Sequence, residues 1–269
     1  GEPAKAMVNI HPTALVDPQA ELGVDVTVGP FTIVEAGVRV GDRTTLGPHV
    51  LIRGGTTLGT DNVVDYGTVL GGDAQHRSAA GLTTYLEIGS HNTIRESVTM
   101  HRASIDGSAT RVGDHNLFMA TTHLGHDVVV GNYTTLANLA TVGGHVVILD
   151  RATIGGMTAV HQRVTIGELA MVGGMSAVNQ DVPPFSTAAG NTIKVLGINT
   201  IGLQRNGFDS ALRSQLKKAM RMLFGAGRNR SLALTELEQA YPDPAPELKR
   251  LLDFVRAMQA GHNGRQLEH

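Results

Sequence analysis

Apolar residues return every sixth position from Val16: Leu22, Val28, Val34, Val40, Leu46, Ile52, Leu58, Val64 and Leu70. The series resumes at Ile88, Ile94 and Met100 and runs from Val112 to Val178. Across it only His76 and Asp106 are not apolar. Glycine often follows the aliphatic, as at Gly23, Gly41, Gly125, Gly143 and Gly155. A small or β-branched residue follows four places on, as at Thr32, Thr44, Val128, Ala140 and Thr158. A helical period of 3.6 cannot hold this phase, and a two-residue alternation alone would not return glycine every six. Short strands joined by tight turns can, with glycine expected to accommodate the turn backbone and the aliphatic pointing inward. Three such units close an eighteen-residue triangular coil, and a fixed hexapeptide period predicts a parallel β-helix. Nine to ten stacked coils would form a prism about 45 Å long at the sheet spacing.

The polar stretches "GGDAQHRSAAGLTTY" and "RASIDGSATR" hold the two exceptions. They predict loops leaving the prism near 71–87 and 102–111. The repeat fades near residue 200. Asp209 is placed to cap a helix that carries Leu212, Leu216, Ala219 and Leu223 on one face and stops at Gly225. "SLALTELEQAY" and "PELKRLLDFVRAMQAG" predict two more helices, the last opened by Pro246. The expected organisation is a β-helix over 8–202 and a helical domain over 203–261. Residues 1–7 are expected to be a flexible start, or residues added before a native Met7.

Composition adds bounds. The 269-residue chain has 22 Lys+Arg against 24 Asp+Glu, a net charge of −2 that gives no general attraction to nucleic acid or membranes. Cysteine is absent, which excludes disulfides and thiolate chemistry. No run of eighteen apolar residues and no signal-peptide core occur. Only 4% of residues are aromatic, which fits a core of repeated aliphatic side chains.

The register places the chemistry. His123, His126, His145 and His161 all lie off the interior phase, so they should project outward or occupy corners. Residues eighteen apart stack, which aligns His126, Gly144 and Gln162 in one column and Asp127, His145 and Arg163 in the next. Asp127 could fix the tautomer of His126, and the backbone N–H of Gly144 is suited to a developing oxyanion. With no serine or cysteine nucleophile nearby, this set points to direct transfer between two bound substrates, with His126 as general base. A zinc site, as in trimeric γ-class carbonic anhydrases, and a non-catalytic scaffold are the competing readings.

"HLGHDVVVGN", "LATVGGHV", "IGGMTAVHQ", "VGGMSAVNQDVPPF", "GNTIKVLGINTIGLQRNGF" and "IRESVTMHR" resemble the UDP-N-acetylglucosamine acyltransferases of lipid A biosynthesis, nearly end to end. The resemblance implies a left-handed β-helix, assembled as a homotrimer with active sites between neighbouring prisms. It implies cytoplasmic transfer of an R-3-hydroxyacyl chain from acyl carrier protein to the 3-position of the UDP-sugar. The donor rides on phosphopantetheine, with no separate cofactor and no metal. His126 then matches the general base, Asp127 its partner and Gly144 the oxyanion donor. Gln75, His123, His145, His161, Gln162, Asn199 and Arg205 fall at substrate-contacting positions. Gly174 matches the position that limits acyl length, and eighteen-residue stacking would put it about 13 Å along the wall from His126. Departures from the family pattern are His76 and Ser78 in place of a loop aspartate and lysine, and Ile201 and Asn206 in place of a glutamate and an arginine. Some relatives acylate a 3-amino sugar, so ester and amide formation both stay open. Residues 205–230 carry seven cations against Asp209 alone. An acidic carrier protein would be drawn to such a patch.

Overall fold

The computed structural model describes residues 7–269; the expectation for residues 1–6 lies outside them. From Asn9 onward two- to five-residue strands wind a left-handed prism with three parallel faces. The first sheet has eleven strands from Asn9–Ile10 to Lys194–Ile198. The second has nine, from Leu15–Val16 to Ala177–Val178, and the third eight, from Glu21–Leu22 to Thr165–Ile166. Among the strands of the described residues, only the final hairpin, Ser186–Ala189 with Lys194–Ile198, pairs antiparallel.

Register explains why the sixfold phase survives the loops. Thr135 pairs with Thr153, eighteen residues on. Val69 pairs with Thr99 and Thr93 with Leu117, so the two excursions lengthen their coils by twelve and six residues. Both are multiples of the repeat, and every later aliphatic therefore stays inside. The interior positions are at most a few per cent exposed from Val28 to Val178, while Val16 and Leu22 at the open end are half-buried. His76, Leu82 and Asp106 sit on the two excursions, outside the stack.

The role expected of the glycines needs correction. Gly41 and Gly155 do not hold the left-handed turn conformation; Arg43 (φ 58°) and Met157 (φ 55°), two residues further on, do. Glycine is required by close approach instead. A Cβ on Gly41 would lie 2.5 Å from the carbonyl carbon of Gly59, and one on Gly155 would lie 2.3 Å from the nitrogen of Gly174.

The small or β-branched positions also hold a surprise. Asn62, Asn92 and Asn116 are buried there and form a ladder. Asn92 N–H donates to Asn62 Oδ1 (2.9 Å), Asn116 N–H to Asn92 Oδ1 (2.9 Å) and Thr134 N–H to Asn116 Oδ1 (2.8 Å). Each side-chain amide also reaches a glycine carbonyl, so no buried polar atom of the ladder is left without a partner.

Four helices follow: α1 (Thr200–Arg205), α2 (Ser210–Phe224), α3 (Arg230–Ala240) and α4 (Pro246–Ala260). Asp209 caps α2 by accepting from Leu212 N–H at 2.8 Å, and Pro246 opens α4. Leu216, Leu223, Leu237, Leu251 and Val255 form a second apolar core that meets the prism at Leu169 and Phe185. Beyond α4 the chain returns to the prism end. The buried Asp181 carboxylate accepts from Gln266 N–H (2.9 Å) and Thr165 N–H (2.7 Å).

Candidate active site

The corner that follows the second sheet carries the candidate chemistry. Its turns are Gly125-His126-Asp127, Gly143-Gly144-His145 and His161-Gln162-Arg163, which leave strands His123–Leu124, Thr141–Val142 and Ala159–Val160. Asp127, His145 and Arg163 all occupy the left-handed turn position, with φ of 60°, 60° and 62°. Their side chains therefore stack along one ridge, as the eighteen-residue pitch requires.

His126 Nδ1 lies 2.7 Å from Asp127 Oδ2, and both side chains are largely enclosed, at 12% and 9% exposed. The second loop holds the carboxylate. Ser104 Oγ donates to Oδ2 at 2.6 Å, Ser104 N–H lies 3.0 and 3.2 Å from the two oxygens, and Asp127 N–H donates to Thr110 Oγ1 at 2.9 Å. Burial works to raise the Asp127 pKa, but the bonds from Ser104 and His126 outweigh it and hold the carboxyl below its ordinary range. An ionised Asp127 only accepts, so Nδ1 of His126 carries a hydrogen, and in the neutral ring the lone pair is at Nε2. His145 Nε2 stands 3.5 Å from the same Oδ2, and its pKa is lowered, chiefly by burial.

Gly144 is the floor under the imidazole. A Cβ there would come within 2.5 Å of Cε1 and 2.6 Å of Nε2 of His126, so the ring sits directly on its backbone. At the third-sheet corner, the equivalent turn N–H groups are capped from the next coil: Val24 by Asp42, Asp114 by Asn132 and Asn132 by Asp150. At the His126 corner, among the described residues, the Gly144 N–H has no acceptor. It is a free donor beside the His126 ring.

Sequence reasoning missed the loops' contribution. The first loop, 73–84, folds back so that the His76 ring meets His126 edge to face, 5.5 Å between centroids, with Ser78 Oγ 2.9 Å from His76 Nδ1. His101 Nδ1–H donates to the Asp73 carbonyl (2.5 Å), and the ring packs on His123 at 5.0 Å between centroids. His123 itself is bonded to Thr99 Oγ1 (2.8 Å), and burial together with His101 pushes its pKa down to about 4. The serines of "RASIDGSATR" were the available signal for a carboxylate clamp.

The remaining expected residues divide. Gln75, His161 and Gln162 are exposed beside this corner, with His161 Nδ1 donating to the Gln162 carbonyl at 2.9 Å. Gly174 belongs to the first-sheet corner, where a Cβ on it would meet Gly156 O at 3.1 Å. Its 48-residue offset from His126 is not a multiple of eighteen, so the distance of about 13 Å along a shared wall does not apply within one chain. Asn199 caps α1 by accepting from Gly202 N–H (3.1 Å) and donates to the Leu169 carbonyl (2.9 Å). Arg205 is exposed at the end of α1. One chain does not bring Gly174, Asn199 or Arg205 to His126.

His126, Asp127 and His145 have donor atoms within 4.8 Å of one another, a spacing that could hold a metal ion. The donor chemistry fits this poorly: Asp127 already accepts from Ser104 and His126, and an ion would have to displace those bonds.

The chain is 49% identical over 253 residues to the acyl-[acyl-carrier-protein]–UDP-N-acetylglucosamine O-acyltransferase of Paracidovorax citrulli, covering 93% of this chain and 97% of that protein. The enzyme of the same name from Halorhodospira halophila is 43% identical over 256 residues, covering 95% and 99%. The chain belongs to this O-acyltransferase family. Two relatives of known structure share its architecture over more than nine-tenths of the chain. LpxA from Acinetobacter baumannii superposes with a TM-score of 0.86 at 36% identity, covering 91% of this chain and 95% of that one. The Arabidopsis UDP-N-acetylglucosamine acyltransferase gives 0.84 at 32%, covering 95% and 98%. Residues 181–263 also match the family profile described as "Udp N-acetylglucosamine O-acyltransferase; Domain 2". These O-acyltransferase relatives give the amide-forming, zinc-enzyme and scaffold readings no support.

Proposed function

We propose that this protein transfers an R-3-hydroxyacyl chain from acyl carrier protein to the 3-hydroxyl of UDP-N-acetylglucosamine, the first step of lipid A assembly, in the cytoplasm. Membership of the O-acyltransferase family supports the reaction class. The observation that carries the mechanism is the enclosed His126–Asp127 pair above an uncapped Gly144 N–H. His126 Nε2 takes the proton of the sugar hydroxyl as its oxygen attacks the thioester carbonyl. The carbonyl oxygen gains negative charge and is held by the Gly144 N–H. The tetrahedral centre then collapses: the carbon–sulfur bond breaks, and the protonated His126 returns its proton to the departing phosphopantetheine sulfur. Asp127 remains ionised throughout and stabilises the imidazolium.

Gln75, His123, His145, His161 and Gln162 line the substrate path on one chain. Gly174, Asn199 and Arg205 lie on other surfaces, so a homotrimer supplies them from a neighbouring prism, with Gly174 leaving room for a long acyl chain. The reaction needs no cofactor beyond the donor's phosphopantetheine, and no metal. Among the described residues, no helix is long and apolar enough to cross a membrane.

The test is a product mass spectrum from UDP-N-acetylglucosamine and its 3-amino analogue, offered with a ladder of hydroxyacyl carrier proteins. Ester product, retained after chelation by a protein of trimer mass in light scattering, is expected. Exclusive amide product would move the reaction to the amino sugar, and absence of any acyl transfer would refute the proposal.

A further inference from the structure

The prism holds nine arginines. Six pair with carboxylates: Arg39 with Glu21, Arg43 with Asp61, Arg53 with Glu35, Arg95 with Asp65, Arg102 with Asp73 and Arg111 with Glu87. Arg151 lies over the Tyr133 ring, 4.9 Å from its centroid. Of these nine, only Arg77 and Arg163 have neither an ion pair nor an aromatic partner among the described residues, and both border the His126 corner. Arg77 is exposed on the first loop, next to the His76 that touches the catalytic ring. Arg163 is half-buried, one coil beyond His145 on the ridge Asp127–His145–Arg163, and its charge is felt at His145. The other seven guanidinium groups of the prism have a carboxylate or, at Arg151, a tyrosine ring as partner; these two cations lie on the loop and the ridge that flank His126, where two phosphate-bearing substrates must meet.

We propose that Arg77 and Arg163 form a split phosphate clamp, binding phosphate-ester oxygens of the substrates on either side of His126. The proposal rests on the acyltransferase reading for the identity of those substrates. The chemistry fits: the planar guanidinium fork binds phosphate oxygens in pairs, and an unpaired guanidinium need not break an internal ion pair to do so. The phosphate can come from two sources, the diphosphate of the sugar acceptor or the phosphodiester of the donor's phosphopantetheine arm.

Arg77→Gln, Arg163→Gln and the double variant are titrated calorimetrically with UDP-N-acetylglucosamine and with a 3-hydroxyacyl-4′-phosphopantetheine, and both KM values are measured. Each single variant should weaken at least one ligand by about 10-fold, roughly 1.4 kcal/mol. The matching KM should rise more than kcat falls, and wild-type binding should weaken with added salt. Arg163→Lys should recover part of the loss. A loss confined to the nucleotide sugar assigns the acceptor diphosphate, and one confined to the pantetheine ligand assigns the donor. A double variant that binds both ligands within twofold of wild type overturns the clamp, as does a wild-type protein that binds neither. If wild type binds both but transfers no acyl group, the functional reading fails while the clamp is still judged on affinity.

Discussion

Gly144→Ala isolates the part of the site that the sequence could only hint at. The new methyl would start 2.5 Å from Cε1, 2.6 Å from Nε2 and 3.0 Å from Nδ1 of His126. Ordinary carbon contacts need about 3.5 Å or more, so the imidazole must retreat by roughly 1 Å. Its bond to Asp127 is only 2.7 Å long and cannot stretch that far and persist. A 1 Å displacement of a reacting group costs about 10²-fold in rate, equivalent to roughly 2.7 kcal/mol. Gly144 does not have a positive φ, so alanine imposes no backbone strain and the coil should stay intact. Steady-state turnover with saturating hydroxyacyl carrier protein and UDP-N-acetylglucosamine should therefore fall at least about 10²-fold, with an unchanged melting profile. The His126 ring resonances, read by NMR, should shift as the Asp127 bond is lost. A variant with kcat within about threefold of wild type and an undisturbed His126 signal would refute the stacking argument.

Asp127→Asn should keep the shape but deprive His126 of the acceptor that sets its tautomer, lowering kcat by about 10²–10⁴ in the same assay with little change in melting temperature. The His123 pKa of about 4 lies below the ordinary 6.5, so the unfolded chain binds the proton first as pH falls. The stability tied to His123 is fully present above about pH 6.5 and is lost progressively toward pH 4. Thermal melts across this window should steepen less in His123→Gln, and identical slopes would count against that assignment. Asn92→Ala should break the ladder at both neighbours: its backbone N–H still donates to Asn62 Oδ1, but that oxygen and the Gly113 carbonyl lose the side-chain amide and the Asn116 N–H loses its acceptor. The expected loss is about 2–4 kcal/mol in denaturant unfolding, with the residual folded protein retaining its kcat.

How much could be read from the chain depended on whether a feature obeyed the repeat. The interior stack, the eighteen-residue pitch and the His126–Gly144 and Asp127–His145 columns all follow from counting. The loops were harmless to that counting because they add twelve and six residues. What the loops do was not legible: their ends are fixed by the repeat, but their paths are set by individual bonds. Ser104 reaching Asp127, and His76 lying on His126, are three-dimensional outcomes of that kind. Asn62, Asn92 and Asn116 occupy positions where a small or β-branched residue was expected. Their cost inside the prism vanishes only because they bond to one another and to glycine carbonyls, a compensation invisible one residue at a time. Gly174 was misplaced by a corner because its offset from His126 was treated as distance along one wall. The reading of glycine as a turn former failed for a similar reason, since the close approach comes from the next coil.

The central claim is that His126 removes the acceptor proton, and His126→Ala tests it most directly. Single-turnover formation of acylated UDP-N-acetylglucosamine, quantified by mass spectrometry at saturating substrates, should fall by more than about 10³-fold while melting temperature and oligomeric mass match wild type. A folded variant that forms product at close to the wild-type rate would contradict the account.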